Sequence, residues 1–155
     1  MSAQSSPRVE TKRELLRLIA EAPTLAGTQI VYGWPKVLED RHIILGPISG
    51  DIEIAAMTGP TGPRHRTDTF DVAIIVGAGD IGDTLEEAED KTSTLIAAVE
   101  GIVADNAHLD NVPTVLSAQT SRIEGPDLTY IGDAQPLAYA TLTVEVVARY
   151  TTGAP

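Results

Sequence analysis

AYATLTVEVVAR, residues 138–149, is the clearest strand in this sequence and the stretch that decides its fold. Small and aliphatic side chains occupy every second position, namely Ala138, Ala140, Leu142, Val144, Val146 and Ala148. Mostly polar or bulkier residues fill the positions between them, which is the period of two expected of a strand with one buried face. We therefore predict a strand here that sits centrally in a sheet.

Earlier segments with a similar pattern supply partners for that strand. They are residues 29–32, 42–45, 51–56, 69–76 and, more weakly, 114–121. In the clearest of them, Phe70, Val72, Ile74 and Val76 are predicted to face inward. We expect 51–56 and 69–76 to form a long antiparallel hairpin.

Two helices are predicted from a period near 3.6. The first carries Leu15, Leu18, Ile19 and Ala22 on one face, with Thr11 and Glu14 as a capping box and Pro23 as its stop. The second begins at a capping pattern of Asp83 and Glu86 and continues to about Asn106. Helices and strands do not alternate as in a βαβ series. We therefore expect an α+β fold, a single mixed, mostly antiparallel β-sheet with two helices packed on one face.

Length and charge limit the possible functions. At 155 residues the chain fits one domain, which we place at 9–150 between a flexible N-terminal tail, 1–8, and a flexible C-terminal end, 151–155. The net charge of −11 disfavours tight nucleic-acid binding. The lack of cysteine excludes thiolate metal sites and fits a reducing cytoplasm. We expect neither a signal peptide nor a membrane-spanning segment.

The segment Gly77-Ala78-Gly79-Asp80-Ile81-Gly82 matches the G-x-G-x-x-G of dinucleotide sites. Three features argue against a cofactor: the preceding strand is the second arm of a hairpin, no acidic residue follows a second buried strand at the required distance, and nearby carboxylates would repel pyrophosphate. We therefore predict no cofactor and interpret the segment as a glycine-rich turn between strand and helix. A small nucleotide-binding domain remains the alternative from a different class.

No set of residues predicts a metal or catalytic site. His42, His65 and His108 are scattered, and we interpret the cluster of Asp105, His108 and Asp110 as the exit of the long helix. No nucleophile elbow is present, so the sequence gives no support for an enzyme.

Loops and exposed side chains are therefore the candidates for function. The Gly- and Pro-rich segment 59–66 is predicted to be a projecting arm that carries Arg64, His65 and Arg66. A second loop is predicted at 125–136, where Asp127 and Tyr130 are candidate contact residues. We expect Trp34 to be a packing anchor instead of a platform for stacking a ligand.

From Val9 to Tyr150 the chain resembles the tail terminator, or tail completion, proteins of long-tailed bacteriophages, of the type found in phages of actinobacteria. The resemblance is carried by Arg13-Glu14-Leu15-Leu16, by residues 66–74, by the Gly-Asp turn before Glu87-Ala88-Glu89, by residues 104–109 and by residues 140–146. The Gly-rich Gly77-Ala78-Gly79 departs from the more polar linker expected there.

The resemblance implies a homo-oligomeric ring of six subunits at the head-proximal end of the tail in the virion, assembled in the host cytoplasm. Its partners would be the tail tube protein and the head-tail connector or stopper protein, and genome DNA would pass through the lumen without specific binding. A stopper or a tail-tube protein is the nearest alternative. The ring and tube contacts are expected at Arg64, His65, Arg66, Asp127 and Tyr130.

Overall fold

The computed structural model describes residues 6–57, 64–131 and 135–152, with side chains placed for 6–50, 66–130 and 135–150. The elements in chain order are helix α1 (Pro7–Glu21), a 3₁₀ turn (Pro23–Leu25), strands β1 (Gln29–Val31), β2 (Arg41–Met57) and β3 (Arg64–Ala78), helix α2 (Leu85–Asp105), and strands β4 (Val115–Ile131) and β5 (Gln135–Thr152). The fold is α+β, as predicted.

One mixed sheet contains all five strands, in the order β1-β2-β3-β5-β4. Only β1 and β2 are parallel neighbours, and the other pairs are antiparallel. β5 is an interior strand, paired on both sides, while β3 occupies the middle position. Because β3 and β4 each pair antiparallel to β5, they run in the same direction, and β3-α2-β4 is a split β-α-β unit.

The core lies between the sheet and the two helices. Phe70, Val72, Ile74 and Val76 face it from β3, as predicted from their alternation. The helices contribute Leu15, Ile19, Leu95, Val99 and Val103, and β5 contributes Ala140, Leu142, Val144, Val146 and Ala148. The period-two pattern of β5 therefore buries one face against α2.

Two strands are longer than predicted. Segments 42–45 and 51–56 are one strand, β2, whose register with β3 shifts between Leu45 and Ile48. The loop predicted at 125–136 is strand as far as Ile131 and again from Gln135, and Gly125-Pro126 lies at a register shift inside β4. Proline is tolerated at both shifts because β4, and β2 beyond its short pairing with β1, have a neighbouring strand on one side only. On the unpaired side, a missing N–H costs no hydrogen bond of the ladder.

Both helices begin at residues other than the predicted caps. Ser6 caps α1, and its side chain accepts a hydrogen bond from the backbone N–H of Arg8. Thr11 lies inside the helix, and its buried Oγ1 has no hydrogen-bond partner among the described residues. Thr84, not Asp83, caps α2. The predicted N-terminal tail, 1–8, therefore overlaps α1, which Pro7 starts well because it lacks an N–H, and β5 continues to Thr152 inside the predicted C-terminal end.

A salt bridge ties α1 to the sheet. The Arg8 guanidinium donates two hydrogen bonds of 2.8 Å to the Asp68 carboxylate, which is 1% exposed, and one of 2.9 Å to the carbonyl of Gly50. The same guanidinium lies 5.4 Å from the centre of the Phe70 ring. The start of α1 is thereby held against β2 and β3 where the long hairpin leaves the helix layer.

The sheet is longer than the helix layer that covers it. The 18 residues of β5 span about 57 Å, whereas the 21 residues of α2 span about 31 Å. β5 runs the whole length of this sheet: Thr152 pairs with Arg64 of β3 at one end, and Gln135 pairs with Ile131 of β4 at the other.

Candidate functional site

The predicted basic arm is a strand in the part that the structure describes. Arg64, His65 and Arg66 belong to β3 and pair with β5, whereas 58–63 lie outside the described residues. Arg66 is half-buried, and its Nε is buried without a hydrogen-bond partner among the described residues. The prediction that these three residues lie in a loop was wrong, because pairing with strands on both sides extends β3 up to the Gly- and Pro-rich segment.

Asp127 and Tyr130 lie in β4, where a loop was predicted. Both are exposed, Tyr130 at 57%. Asp127 pairs with Tyr139, whereas Arg66 pairs with Tyr150. The two partners are eleven positions apart along β5, or about 36 Å. The predicted contact residues therefore lie at opposite ends of the sheet and do not form one site.

The loop at 32–38, which we call the Trp34 loop, is an exposed apolar surface that the sequence did not predict. Trp34 is 71% exposed and Val37 is exposed as well, so the prediction that Trp34 anchors the core was wrong. The Gln29 side chain holds the loop beside β1, donating a 2.9 Å hydrogen bond to the carbonyl of Val37 and accepting one of 2.9 Å from the N–H of Glu39. Trp34 therefore projects from a fastened loop.

One basic side chain supports the start of this loop. The Lys12 ammonium lies 4.1 Å from the centre of the Tyr32 ring, a cation–π contact. Burial lowers the pKa of Lys12. Between Tyr32 and Leu38 the loop contains one cation, Lys36, and no acidic residue.

A second exposed apolar surface lies on β4, and we call it the β4 strip. It consists of Ile123, Leu128 and Tyr130. These residues pair with Leu142, Ala138 and Pro136, which are buried. Directly opposite residues in a ladder point to the same face, so the strip lies on the helix side of the sheet. It runs for about 20 Å along the strand.

The Gly77–Gly82 segment is a packed turn. A Cβ at Gly79 would lie 1.9 Å from the carbonyl oxygen of Pro136, and one at Gly77 would meet the His42 ring. Gly82 has a φ of +91°, a conformation that favours glycine. The glycines are thus explained by close packing and by backbone geometry.

The polar groups of this turn already bind side chains of the same chain. The Asp83 carboxylate accepts a 2.9 Å hydrogen bond from the backbone N–H of Asp80. The Lys91 ammonium donates one hydrogen bond to the Asp80 carboxylate, at 2.5 Å, and one to the Asp83 carboxylate, at 2.6 Å. These hydrogen bonds lower the pKa of Asp83 and raise that of Lys91. The argument that the preceding strand is only the second arm of a hairpin was incomplete, because β3 also begins a split β-α-β unit. The turn nevertheless presents carboxylates where pyrophosphate would bind.

The histidines with described side chains have structural surroundings. His42 is buried, its Nδ1 lies 3.0 Å from the carbonyl oxygen of Glu39, and burial lowers its pKa. His108 Nδ1 lies 3.0 Å from the carbonyl oxygen of Leu116, beyond the end of α2. Within the described residues, no three His, Asp or Glu side chains are grouped so that they could hold a metal ion.

An open cleft of about 560 Å³ lies beside the turn, lined by Ala26, Gly27, Glu39, Asp40, Arg41 and Asp80. Two of its three carboxylates are engaged: Asp40 accepts a 2.7 Å hydrogen bond from Gln135, and Asp80 pairs with Lys91. The third, that of Glu39, belongs to an exposed residue.

Comparison with known proteins adds no relatives: no protein-family model and no curated protein matches this chain. No helix in the described ranges combines the length and apolar character that a bilayer span requires.

Proposed function

We propose that this protein is a structural subunit of a phage tail, which closes as a ring of six on the head-proximal end of the tail tube. In that position it ends tube polymerisation and joins the tail to the connector or stopper protein of the head. The observation that carries the proposal is that the sheet is longer than the helix layer that covers it. The β2–β3 and β4–β5 pairs reach opposite ends of this sheet, which suits a subunit that contacts neighbours on more than one side.

The charge of the chain supports the same proposal. DNA must pass through a tail without sticking, and a net charge of −11 repels phosphate. The basic side chains with described positions are partly used internally: Arg8 binds Asp68, Arg17 binds Glu14 and Glu21, and Lys91 binds Asp80 and Asp83. The same contacts use five carboxylates, so the acidic character of the rest of the chain follows from its 22 Asp and Glu against 11 Lys and Arg.

A tail-tube subunit or a stopper would also need contacts with several neighbours, and these alternatives differ from a terminator in how assembly ends. A tube subunit adds copies of itself without limit, whereas a terminator adds one ring and stops. The arrangement of the Gly77–Gly82 turn gives the nucleotide-binding alternative no support.

The test adds gold-labelled protein to the tail tube protein of the same phage while tubes polymerise. The proposal predicts shorter tubes, each labelled at one end only. Label along the tube walls would identify a tube subunit instead, and unlabelled tubes of unchanged length would contradict the proposal.

A further inference from the structure

The two exposed apolar surfaces lie at opposite edges of the sheet. The Trp34 loop follows β1, at one edge, and the β4 strip belongs to the strand at the other. Four strand spacings, or about 19 Å, separate these edges. The two surfaces are therefore separate within one chain and cannot cover each other.

Each surface offers one charged side chain of opposite sign to the other. Lys36 is exposed in the Trp34 loop, which has no acidic residue. Beside the β4 strip, Asp127 is exposed and makes no ion pair within the described residues, and Glu124 is exposed with a 2.6 Å ion pair to Arg122. Charges of both signs surround the two surfaces, since Glu39 and Asp40 follow the loop and Arg122 lies beside the strip. Lys36 and Asp127 nevertheless give one exposed cation and one exposed carboxylate that can pair across a contact.

We propose that the Trp34 loop of one copy packs on the β4 strip of the next copy, an inference that rests on the proposed ring. Trp34 is the anchor, seated between Leu128 and Tyr130, and Lys36 approaches Asp127. A contact between two different surfaces of identical chains is heterologous, so each copy offers both a free loop and a free strip to further copies. Repetition of that contact closes a ring when the rotation per subunit permits it.

Side-chain packing suits this edge better than strand addition. The register of β4 with β5 shifts at three places, and Pro126 contributes no N–H. Bulges, proline and charged side chains are the usual means by which an edge strand avoids pairing with another strand. Apolar side chains on the face of β4 remain available for a neighbouring loop.

The size of the two surfaces makes them the centre of an interface. A tryptophan or tyrosine buries about 150–250 Å², whereas a stable interface buries about 800 Å² on each partner. The remainder would come from the surroundings of the two surfaces. Central aromatic residues usually dominate the affinity of such contacts.

The test measures self-association by sedimentation velocity up to about 1 mM protein, a concentration that detects weak contacts. Trp34→Ala and Tyr130→Ala should each weaken association by about 30-fold or more. Ile81 is an exposed apolar residue that belongs to neither surface, so Ile81→Ala should leave association unchanged. All three side chains are exposed, so the variants should keep the wild-type circular dichroism spectrum.

Mixing the two deficient variants separates this contact from a symmetric one. The Trp34→Ala copy keeps its strip and the Tyr130→Ala copy keeps its loop, so the mixture should form a one-to-one dimer through one intact contact. Lys36→Glu should weaken association most at low salt, because salt screens the attraction between Lys36 and Asp127.

Several results would overturn the proposed contact. These are single variants that associate like wild type, a mixture that stays monomeric, or a wild-type protein that is monomeric up to about 1 mM. None of these would by itself overturn the proposed function, because the end of the tube is a second surface on which subunits can assemble. Absence of end labelling on tubes despite an intact loop-to-strip contact would overturn the function alone.

Discussion

Removal of Arg8 should destabilise the fold more than a comparable change at Asp68. In Arg8→Met, the Asp68 carboxylate, at 1% exposure, loses both hydrogen bonds of the guanidinium and stays away from water. Breaking a buried ion pair costs about 3–5 kcal/mol. Because the Arg8 side chain is 21% exposed, we take the lower end and expect a loss of about 3 kcal/mol in the free energy of unfolding.

Asp68→Asn keeps the shape and one acceptor, and it leaves the charge on the partly exposed member, so its cost should be about 1.5 kcal/mol. In the double variant, the loss in the free energy of unfolding should be about 1 kcal/mol smaller than the sum of the two single losses, because the residues are in contact. Urea unfolding followed by far-ultraviolet circular dichroism measures all three values. In a chain of 155 residues, 3 kcal/mol corresponds to a fall in Tm of about 6–12 °C.

Arg17→Met provides a control on the same helix, since Arg17 pairs with Glu14 and Glu21 at a more exposed position. Exposed ion pairs contribute little to stability, because water and salt screen them. The reasoning about burial would be refuted if Arg8→Met cost no more than Arg17→Met, or less than Asp68→Asn.

Three further changes test the pH response and the turn before α2. Burial lowers the pKa of His42 below 6.5, so the unfolded chain binds the proton more readily and stability should fall as the pH drops below about 6.5. In urea unfolding between about pH 6.5 and 5, His42→Asn should reduce this dependence of stability on pH. An unchanged dependence would assign it to other groups. Gly79→Ala should lower the free energy of unfolding by about 3 kcal/mol or more, because the added methyl group meets the carbonyl of Pro136. Gly82→Ala should lower it by about 1 kcal/mol, from backbone strain alone. Equal losses in thermal melts would show that the close approach at Gly79 is unimportant. Lys91→Met should accelerate amide hydrogen exchange across the turn and leave α2 protected, and unchanged exchange would show that the two ion pairs do not hold the turn.

The sheet and its helices were predictable where a periodic pattern was long. β5 and residues 69–76 of β3 alternate cleanly, and α2 keeps helical spacing over its length. Both signals arise from burial of one face, which a single sequence records directly. The fold class followed from the order of these elements.

Strand continuity was not predictable because Gly46-Pro47 and Gly125-Pro126 usually end strands. Here they lie at register shifts in β2 and β4. Whether proline breaks a strand depends on whether its missing N–H would face a neighbour, and that is known only once the strand order is known. The boundaries of loops were therefore the main error.

The exposed surfaces were the least predictable feature. The sequence gives no sign that Trp34 points outward, since a tryptophan flanked by glycine and proline is equally compatible with packing into the core. The β4 strip was hidden because Tyr130 was assigned to a loop. Residues 58–63, where the tip of the predicted arm falls, lie outside the described residues.

The most direct measurement of the proposed ring is the mass of the purified protein, determined by light scattering on a sizing column over a range of protein and magnesium concentrations. Negative-stain images of the largest species would accompany it. The proposal predicts closed rings whose mass is six times the 16.4 kDa of one chain. Open filaments that lengthen with concentration, or assembly that stops at a dimer, would contradict it.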